Sequence, residues 1–598
     1  MKQTWVIKNK KGDIDDIAAE QGISPVTAQL LLNRDLTTKE ERDVYLHPSV
    51  CGLREPELLL NAKNAAGALK DAVAAGKHIR IVGDYDVDGI TATFVLFSAL
   101  SEIGAKVDFR IPDRIADGYG VNTSMIDEAF SQGVDVILTC DNGISEFDAV
   151  KHAKELGMGF ILTDHHRITV VTGPDGIERQ VMPEADIIVN PHQPGETTPF
   201  HDLCGCVVAM KVVQLLGADV MRYLPYAALA TLCDVMDLKD ENRVIVALGL
   251  GELRRTRDAG LSALITANKL ERERLSVYHI GFVIGPCLNA SGRLDTAEKA
   301  ERLLLEKDSE KAREAAEELV ALNAERKELT EIGANRASFI IDAVAKKQAE
   351  FCGAAEEESE NYIDKVIVLN LKDCHESVAG IIAGRIKEKY NRPTFVFTNS
   401  GDVLKGSGRS IEAYSMYEEL TKVKDLLIRF GGHPMAAGLT IDPENLPELQ
   451  QRLNDNCTLD EKQLAKKVRI DMKLPFEKVT YKLLDEIALM EPFGKGNEKV
   501  LFAEKDLKVI RGSVIGKRQN MLKLNLINVG GCRFTALYFG DIICFFEDVK
   551  RRFGENELDK MMKGMPNSVV LSATYVPERE EYNGMMSIRA KLIDYMFF

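Results

Sequence analysis

No run of about 18 apolar residues occurs anywhere in this 598-residue sequence, so it predicts no membrane-spanning helix. No CxxC pair occurs among the eleven cysteines; Cys204 and Cys206 form a lone CxC with no second pair to complete a zinc site. An odd count at this low density excludes a disulfide framework and predicts reduced thiols, mostly core fillers. The first residues, MKQTWVIKNKKGD, lack the apolar segment of a secretory signal, and with the thiols this predicts a cytoplasmic protein. Positive charge is also short: 76 Lys and Arg face 92 Asp and Glu, a formal charge of −16. That excludes a simple polycation that coats nucleic acid but leaves room for a local basic groove. What remains is ordinary for a soluble globular chain, 45% hydrophobic and 28% charged, which excludes wholesale disorder and a collagen-like repeat. At roughly 100–200 residues per domain the length predicts about three to five domains.

Residues 1 to about 50 read as a small helical preface, with Ser24 as an N-cap before PVTAQLLLN. From about 65 to 240, short β-branched runs (HIRIVG, KVDFRI, VDVILTC, GFILT, ADIIVN) alternate with helical segments. This alternation predicts a parallel sheet wrapped by helices. Residues 296–350 are rich in Ala, Glu, Lys, Leu and Arg, hold no proline and one glycine, Gly333, and read as one or two long helices connecting two lobes. KVIVLNL, SVAGIIAGRIKEKY and TFVFT then predict a second α/β unit to about residue 460. Past 465, helical LLDEIALM gives way to short alternating runs with Gly and Asn turns, which predict a small β-barrel. Residues 461–598 carry a net charge of +5, against −21 for the rest, a weak pointer to nucleic acid.

The chemistry lies where carboxylates fall. The first strand runs into Gly83-Asp84-Tyr85-Asp86-Val87-Asp88-Gly89, the third into Asp141-Asn142-Gly143, and the fourth into Asp164-His165-His166. ALATLCDVMDL places Asp234 and Asp237 at the end of an apolar helix. Open parallel sheets bind ligands outside the carboxyl ends of their strands, so these groups face one crevice. Crowded aspartates repel or protonate unless a cation neutralises them. Carboxylate oxygens suit hard divalent ions, and added imidazole favours Mn²⁺ over Ca²⁺. Two ions about 3.5–4 Å apart that share a carboxylate form the usual clamp for attack on phosphorus. The glycines after Asp88 and Asp141 allow tight turns beside them. The plainer alternative makes each aspartate a helix cap and His165-His166 a surface pair; all three motifs at successive strand ends argue against it.

GDYDVDG, TCDNG, TDHH and LCDVMDL resemble the four motifs of the DHH phosphoesterase superfamily. FRIPDRIADGYG (109–120), LNASGRL (288–294), GSGRS (406–410), GGHPMAAG (431–438) and EPFGKGN (491–497) resemble, within it, the RecJ family of single-stranded-DNA-specific 5′→3′ exonucleases. The likeness covers nearly the whole chain. It implies an N-terminal helical segment (1–60), a parallel-sheet DHH phosphoesterase domain (61–295), a connecting helix (296–350), an α/β DHHA1 domain (351–462) and a C-terminal OB-fold barrel (463–598). Carried over position by position, Asp86, Asp88, Asp141, His165 and Asp234 fall on metal-ligand positions. Asp84 matches the first acid of its motif, as ligand or support. Asp141 is the expected bridging ligand. His166 and Arg293 match groups that face the scissile phosphate. Arg114, Ser407 and Arg409 match a 5′-phosphate pocket, and Gly431, Gly432 and His433 a substrate-binding loop; alone, the arginines are equally surface ion pairs and Gly-Gly-His a turn. Asp237 falls outside this set. Two departures stand out: Glu498-Lys499 follows EPFGKGN where proline-containing sequence is expected, and Thr231-Leu232-Cys233 before Asp234 is bulkier than expected.

The resemblance thus implies release of 5′ mononucleotides by two-metal (Mn²⁺ or Mg²⁺) hydrolysis, in DNA repair and recombination. The barrel would grip the downstream strand; Phe534, Tyr538 and Phe539 are stacking candidates, though barrel aromatics are more often core. A single-strand-binding protein and recombination or mismatch-repair proteins are the implied partners, and nothing in the sequence suggests an oligomer. Two rivals remain: a DHH phosphodiesterase or pyrophosphatase with a small substrate, which the terminal barrel argues against, and a non-catalytic DHH replication scaffold, which the complete ligand set argues against.

Overall fold

Five short runs dominated by Val, Ile and Leu form a parallel sheet, because β-branched residues buried on both faces fit its interior. The structure, a computed structural model, describes residues 3–114, 117–118, 120–173, 176–582 and 584–597. Positions 115, 116 and 119 of the 109–120 motif lie outside the described residues. The chain divides into two compact units, one of residues 1–4, 55–236 and 249–466, the other of residues 5–54, 237–248 and 467–598.

In the first unit the strands and helices alternate as β1 (His78–Val82), α1 (Val87–Glu102), β2 (Lys106–Arg110), α2 (Thr123–Ser131), β3 (Val136–Cys140), α3 (Phe147–Glu155), β4 (Gly159–Thr163) and β5 (Ile187–Val189). The spatial order is β2-β1-β3-β4-β5, every pair parallel. The chain leaves β1 toward β2, then returns past β1 to β3. Right-handed crossovers therefore put α1 on one face and α2 and α3 on the other, with a crevice where the direction reverses. Met125, Ile126, Val150, Phe160 and Leu162 are part of the core under α2 and α3. Helices α4 (Gly205–Leu216) and α5 (Val220–Cys233) pack with α1. A hairpin, Thr169–Thr172 with Glu178–Val181, lies between β4 and β5.

Helix α6 (Gly285–Leu294) leads to Glu298–Leu305 and then to the 43-residue α7 (Ser309–Phe351). The one glycine of this segment has a packing reason: a Cβ at Gly333 would fall 2.3 Å from Ile382 Cδ1. Ile382 belongs to α8 (Glu376–Tyr390), which packs against a mixed sheet of β6 (Ile367–Asn370), β7 (Thr394–Ser400), β8 (Val403–Arg409), β9 (Leu427–His433) and β10 (Ala436–Ile441), ordered β9-β10-β8-β7-β6. Only β6 and β7 run parallel.

In the second unit β11 (Phe502–Ile515), β12 (Met521–Ile527), β13 (Arg533–Tyr538), β14 (Val570–Tyr582) and β15 (Met585–Phe597) close a barrel through an additional β11–β14 pairing. Closure removes the exposed edges. Two helices, Ile542–Phe553 and Glu555–Lys563, sit between β13 and β14. Leu30, Leu31, Tyr45 and Leu46 share the barrel's core with Phe502, Leu524 and Tyr575. The preface is not wholly helical: Gln3–Ile7 is a strand paired with Lys466–Ile470. Its partner lies more than 450 residues away, so local pattern could not reveal it. Phe534 stacks on Phe476 at 4.0 Å and is core; Tyr538 lies half-buried among Phe545 and Tyr595, packed against that core; Phe539 is 47% exposed. Among the described residues no helix is long and apolar enough to cross a membrane.

Candidate active site

The sheet delivers its acids to one edge. Asp84, Asp86 and Asp88 follow β1, Asp141 follows β3, and His165 and His166 follow β4. Asp234 closes α5 as its C-cap. Asp86 does cap α1, accepting from the amides of Asp88 (2.9 Å) and Gly89 (3.2 Å). Asp88 sits on the N-terminus of α4 and takes the Gly205 amide at 2.6 Å and the Cys206 amide at 2.7 Å. Capping and ligation are therefore compatible here, since a carboxylate has lone pairs for both. The Cys204-Gly205-Cys206 segment contributes backbone donors rather than thiolate ligands.

His165 Nε2 lies 3.0 Å from Asp141 Oδ1, 3.5 Å from Asp88 Oδ2 and 3.8 Å from Asp234 Oδ2. Three groups bring their ligand atoms within 4.8 Å of one another: Asp88, His165 and Asp234; Asp84, Asp86 and Asp141; and Asp141, His165 and His166. The first two share no residue, which suits two cations, and Asp141 reaches toward both. Burial, with Asp86 beside it, pushes the Asp84 carboxyl well above its ordinary value; burial and Asp88, Asp86 and Asp84 do the same to Asp141. Burial and Asp88 raise Asp86. Asp84 Oδ1 is buried and accepts no hydrogen bond. An orphaned buried oxygen among mutually repelling carboxyls, joined by an imidazole, is a donor set that fits divalent Mn²⁺ or Mg²⁺. Asp141 itself holds a left-handed backbone, φ 62°, which Asp tolerates better than most residues.

Two of the expected turn glycines are used. A Cβ at Gly89 would fall 2.5 Å from the Asp84 backbone, and Gly143 has φ 112°. The bulky Cys233 before Asp234 is accommodated from the opposite side, since a Cβ at Gly285 would fall 2.2 Å from its Sγ.

Asp164 was visible in the sequence only as the first letter of its triplet. It is buried and accepts from Ile144 N (3.0 Å), His165 N (2.7 Å), His166 N (3.1 Å) and His166 Nδ1 (2.8 Å). Burial opposes its ionisation, but His166's charge and hydrogen bond outweigh this and hold Asp164 down to about 2. For His166 burial is likewise outweighed, and Asp164 lifts it to about 9. With Nδ1–H committed to Asp164, Nε2–H is a fixed donor at the site.

Cations gather from both lobes: Arg114 follows β2, Arg293 lies on α6, and Arg409 lies on β8. Arg293 is buried and donates to the Ser377 carbonyl at 2.8 Å; burial, with Arg114 and Arg326 nearby, lowers it to about 10. The Arg114 guanidinium lies 4.8 Å over the Tyr85 ring. Burial and Arg114 also lower Arg409, so these three arginines are neighbours. Ser407 and Arg409 are alternate residues of β8, on one face of its sheet. Arg409 and His433 both pair with Ala436, so Gly431-Gly432-His433, expected as a loop, is the paired end of β9, two strands from the arginine. Burial, then His166 and Arg167, hold the His433 imidazole below its usual value, so this strand end lies near the acidic centre. The structure thus brings all the site residues expected from the sequence into the first unit. Asp237 belongs to the second, where Lys495 lies 3.4 Å and Lys239 3.5 Å from it.

Comparison with known proteins matches residues 78–234 to the DHH family N-terminal domain, 364–458 to the DHHA1 domain and 470–594 to the RecJ OB domain. The single-stranded-DNA-specific exonuclease RecJ of Bacillus subtilis is 34% identical over 535 residues, 88% of this chain and 64% of that protein. The protein of the same name from Salmonella typhimurium is 31% identical over 556 residues, 89% of this chain and 91% of that one. RecJ of Thermus thermophilus in complex with Mn²⁺ superposes with a TM-score of 0.78 at 26% identity, over 99% of this chain and 79% of that chain. Its Mg²⁺ complex gives 0.73 at 25% identity, over 99% and 78%.

Proposed function

The chain belongs to the RecJ family of single-stranded-DNA-specific exonucleases, and from that premise we propose that it degrades single-stranded DNA from the 5′ end, releasing 5′ mononucleotides, at the carboxyl edge of its parallel sheet. As a DHH-superfamily member it is a metal-dependent hydrolase. The observation that carries the reading is the pair of disjoint ligand groups at that edge, beside a cluster of Arg114, Arg293 and Arg409. Asp84, Asp86, Asp88, Asp141, His165 and Asp234 would hold two divalent cations, with Asp141 between them. When bound, such ions activate water toward phosphorus and neutralise charge developing on the phosphoryl oxygens.

The remaining steps belong to the protein. Protonated His166, held by Asp164, donates Nε2–H to a scissile-phosphate oxygen. Arg293 adds a fixed positive charge on the same side. Arg114, Ser407 and Arg409 receive the 5′-terminal phosphate, and a pocket closed behind that phosphate sets the polarity. Backbone amides of Gly431 and Gly432 with His433 bind the adjoining backbone. The division of labour follows residues 61–295 for chemistry, 296–350 as connector, 351–462 for the 5′ end and 463–598 for the downstream strand, with 5–54 of the 1–60 segment folding onto the barrel. DNA repair and recombination in the cytoplasm is the setting, with a single-strand-binding protein and recombination or mismatch-repair proteins as partners. Eleven free thiols support that compartment.

The test is a nuclease assay with Mn²⁺ on a single strand labelled at either end, with and without a 5′ phosphate, beside a duplex and the Asp141→Ala protein. Mononucleotides from the 5′ end of single strands only, lost in the variant, are expected. Cleavage of pyrophosphate or dinucleotides alone would keep the metal centre and discard the substrate.

A further inference from the structure

The parallel sheet lines up five loops along one edge in the order β2, β1, β3, β4, β5. Arg114 follows β2, the acids follow β1 and β3, His165, His166 and Arg167 follow β4, and His192 follows β5. Adjacent strands lie ~4.8 Å apart, so the outer two loops start about 19 Å from each other, with the ligand groups between them. The 5′ phosphate is assigned to the Arg114 end. The opposite end carries donors that no step above uses.

Arg167 is exposed, and among the described residues it makes no ion pair. Its Nη1 lies 3.3 Å from His192 Nδ1. A guanidinium has only donors, so His192 Nδ1 accepts and the ring proton sits on Nε2. Burial and then Arg167 hold His192 down to about 4, with Asp202, His165 and His201 also acting on it, so the ring is a neutral donor. The pair is built into the fold. Buried Asn190 donates to the His166 carbonyl at 2.9 Å and accepts from the His192 amide at 2.8 Å, tying this loop to the Asp-His-His loop. His201 Nδ1 donates to the Pro191 carbonyl at 2.6 Å, and its ring stacks over that of His192 at 6.3 Å.

We propose that Arg167 and His192 Nε2–H bind the phosphate immediately 3′ of the scissile one, so that the strand crosses the sheet edge from the Arg114 pocket, over the acids, to this pair. The inference rests on the proposed function above. A guanidinium without an acid partner and a fixed neutral donor suit a phosphodiester, whose single charge needs one cation and one hydrogen bond.

A substrate pair isolates the claim. A 5′-phosphorylated dinucleotide has the 5′ and scissile phosphates but none beyond; a trinucleotide adds one. The ratio of kcat/KM for the first cut, trinucleotide over dinucleotide, is measured with Mn²⁺ for wild type, Arg167→Ala, Arg167→Lys and His192→Ala. Arg167→Ala is expected to lower the ratio about tenfold, and His192→Ala to lower it less, since charged hydrogen bonds are the stronger ones. Arg167→Lys is expected to recover part of the loss. Mn²⁺ affinity by calorimetry reports whether each variant keeps the metal centre. A ratio equal to wild type in Arg167→Ala and His192→Ala, whether both rates hold or fall together, overturns the proposal. If Arg167→Ala does not fold, His192→Ala and Arg167→Lys decide on the same ratio. Wild-type protein that ignores the 5′ phosphate or cleaves no single strand would instead defeat the proposed function.

Discussion

At the scale of single residues the Asp164–His166 pair is the sharpest electrostatic feature. With Asp164 held to about 2 and His166 lifted to about 9, the metal-free chain keeps the pair ionised between those values. Its contribution to stability is whole from about pH 4 to 6.5; it fades as pH rises from 6.5 through 9, and as pH falls from about 4 through 2. NMR titration of the metal-free protein should place the His166 midpoint near 9, and Asp164→Asn should bring it back toward 6.5; a midpoint that does not move would show that another group sets it. The clustered acids make the opposite prediction for metal. Asp84 and Asp141 are raised, so the metal-free protein loses stability as pH climbs through their range. Mn²⁺ should reverse this, releasing protons as it binds and adding about 2.7 kcal/mol at one hundred times its Kd. Calorimetry in buffers of different ionisation enthalpy measures that release. The residues assigned as ligands were legible in the sequence because all but Asp234 stand at a strand end and Asp234 ends an apolar helix. Asp164, Asn190 and the amides of Gly205 and Cys206 were not, because their role is to hold another group and depends on distant loops.

At the scale of elements, the N-terminus of α4 presses on the acids. A Cβ at Gly205 would fall 2.7 Å from Asp141 Cβ and 2.9 Å from its Cα. Gly205→Ala should therefore cost about 1–3 kcal/mol in a denaturant melt and weaken Mn²⁺ binding more than tenfold, because both the Asp141 carboxylate and the helix amides under Asp88 must move. Intact Mn²⁺ affinity in that variant would mean the contact yields freely. A parallel case lies between α5 and α6. Gly285→Ala should destabilise by driving a methyl into Cys233 Sγ, and Cys233→Ala in the same chain should restore much of the loss; equal melts for the single and double variants would contradict this pairing. The five strands of the first sheet were readable as short apolar runs, each within a residue or two of its observed bounds. The hairpin at 169–181 and the helices at 542–563 were not read. TVVT is too short to signal by itself, and the amphipathic helix Ile542–Phe553 stands where an all-strand rhythm is expected.

At the scale of the whole molecule, the second unit is assembled from three pieces of chain. Leu30, Leu31 and Tyr45 are buried against barrel residues, the Tyr45 hydroxyl donates to Asn497 Oδ1 at 2.8 Å, and the Arg243 guanidinium lies 3.9 Å over the Tyr45 ring. Trp5 Nε1 donates to Asp594 at 2.6 Å. The early segment that reads as a helical preface in sequence is thus a structural part of the terminal barrel. Deleting 467–598 should leave Leu30, Leu31 and Tyr45 exposed and give an aggregating chain, which light scattering would show; a monodisperse, active truncation would contradict that dependence. The central claim, that the carboxyl edge of the parallel sheet is a two-metal centre, is tested most directly by anomalous diffraction at the manganese edge from crystals grown with Mn²⁺. Two peaks are predicted, one among Asp84, Asp86 and Asp141 and one among Asp88, His165 and Asp234. A single peak there, or manganese only elsewhere on the molecule, would contradict it.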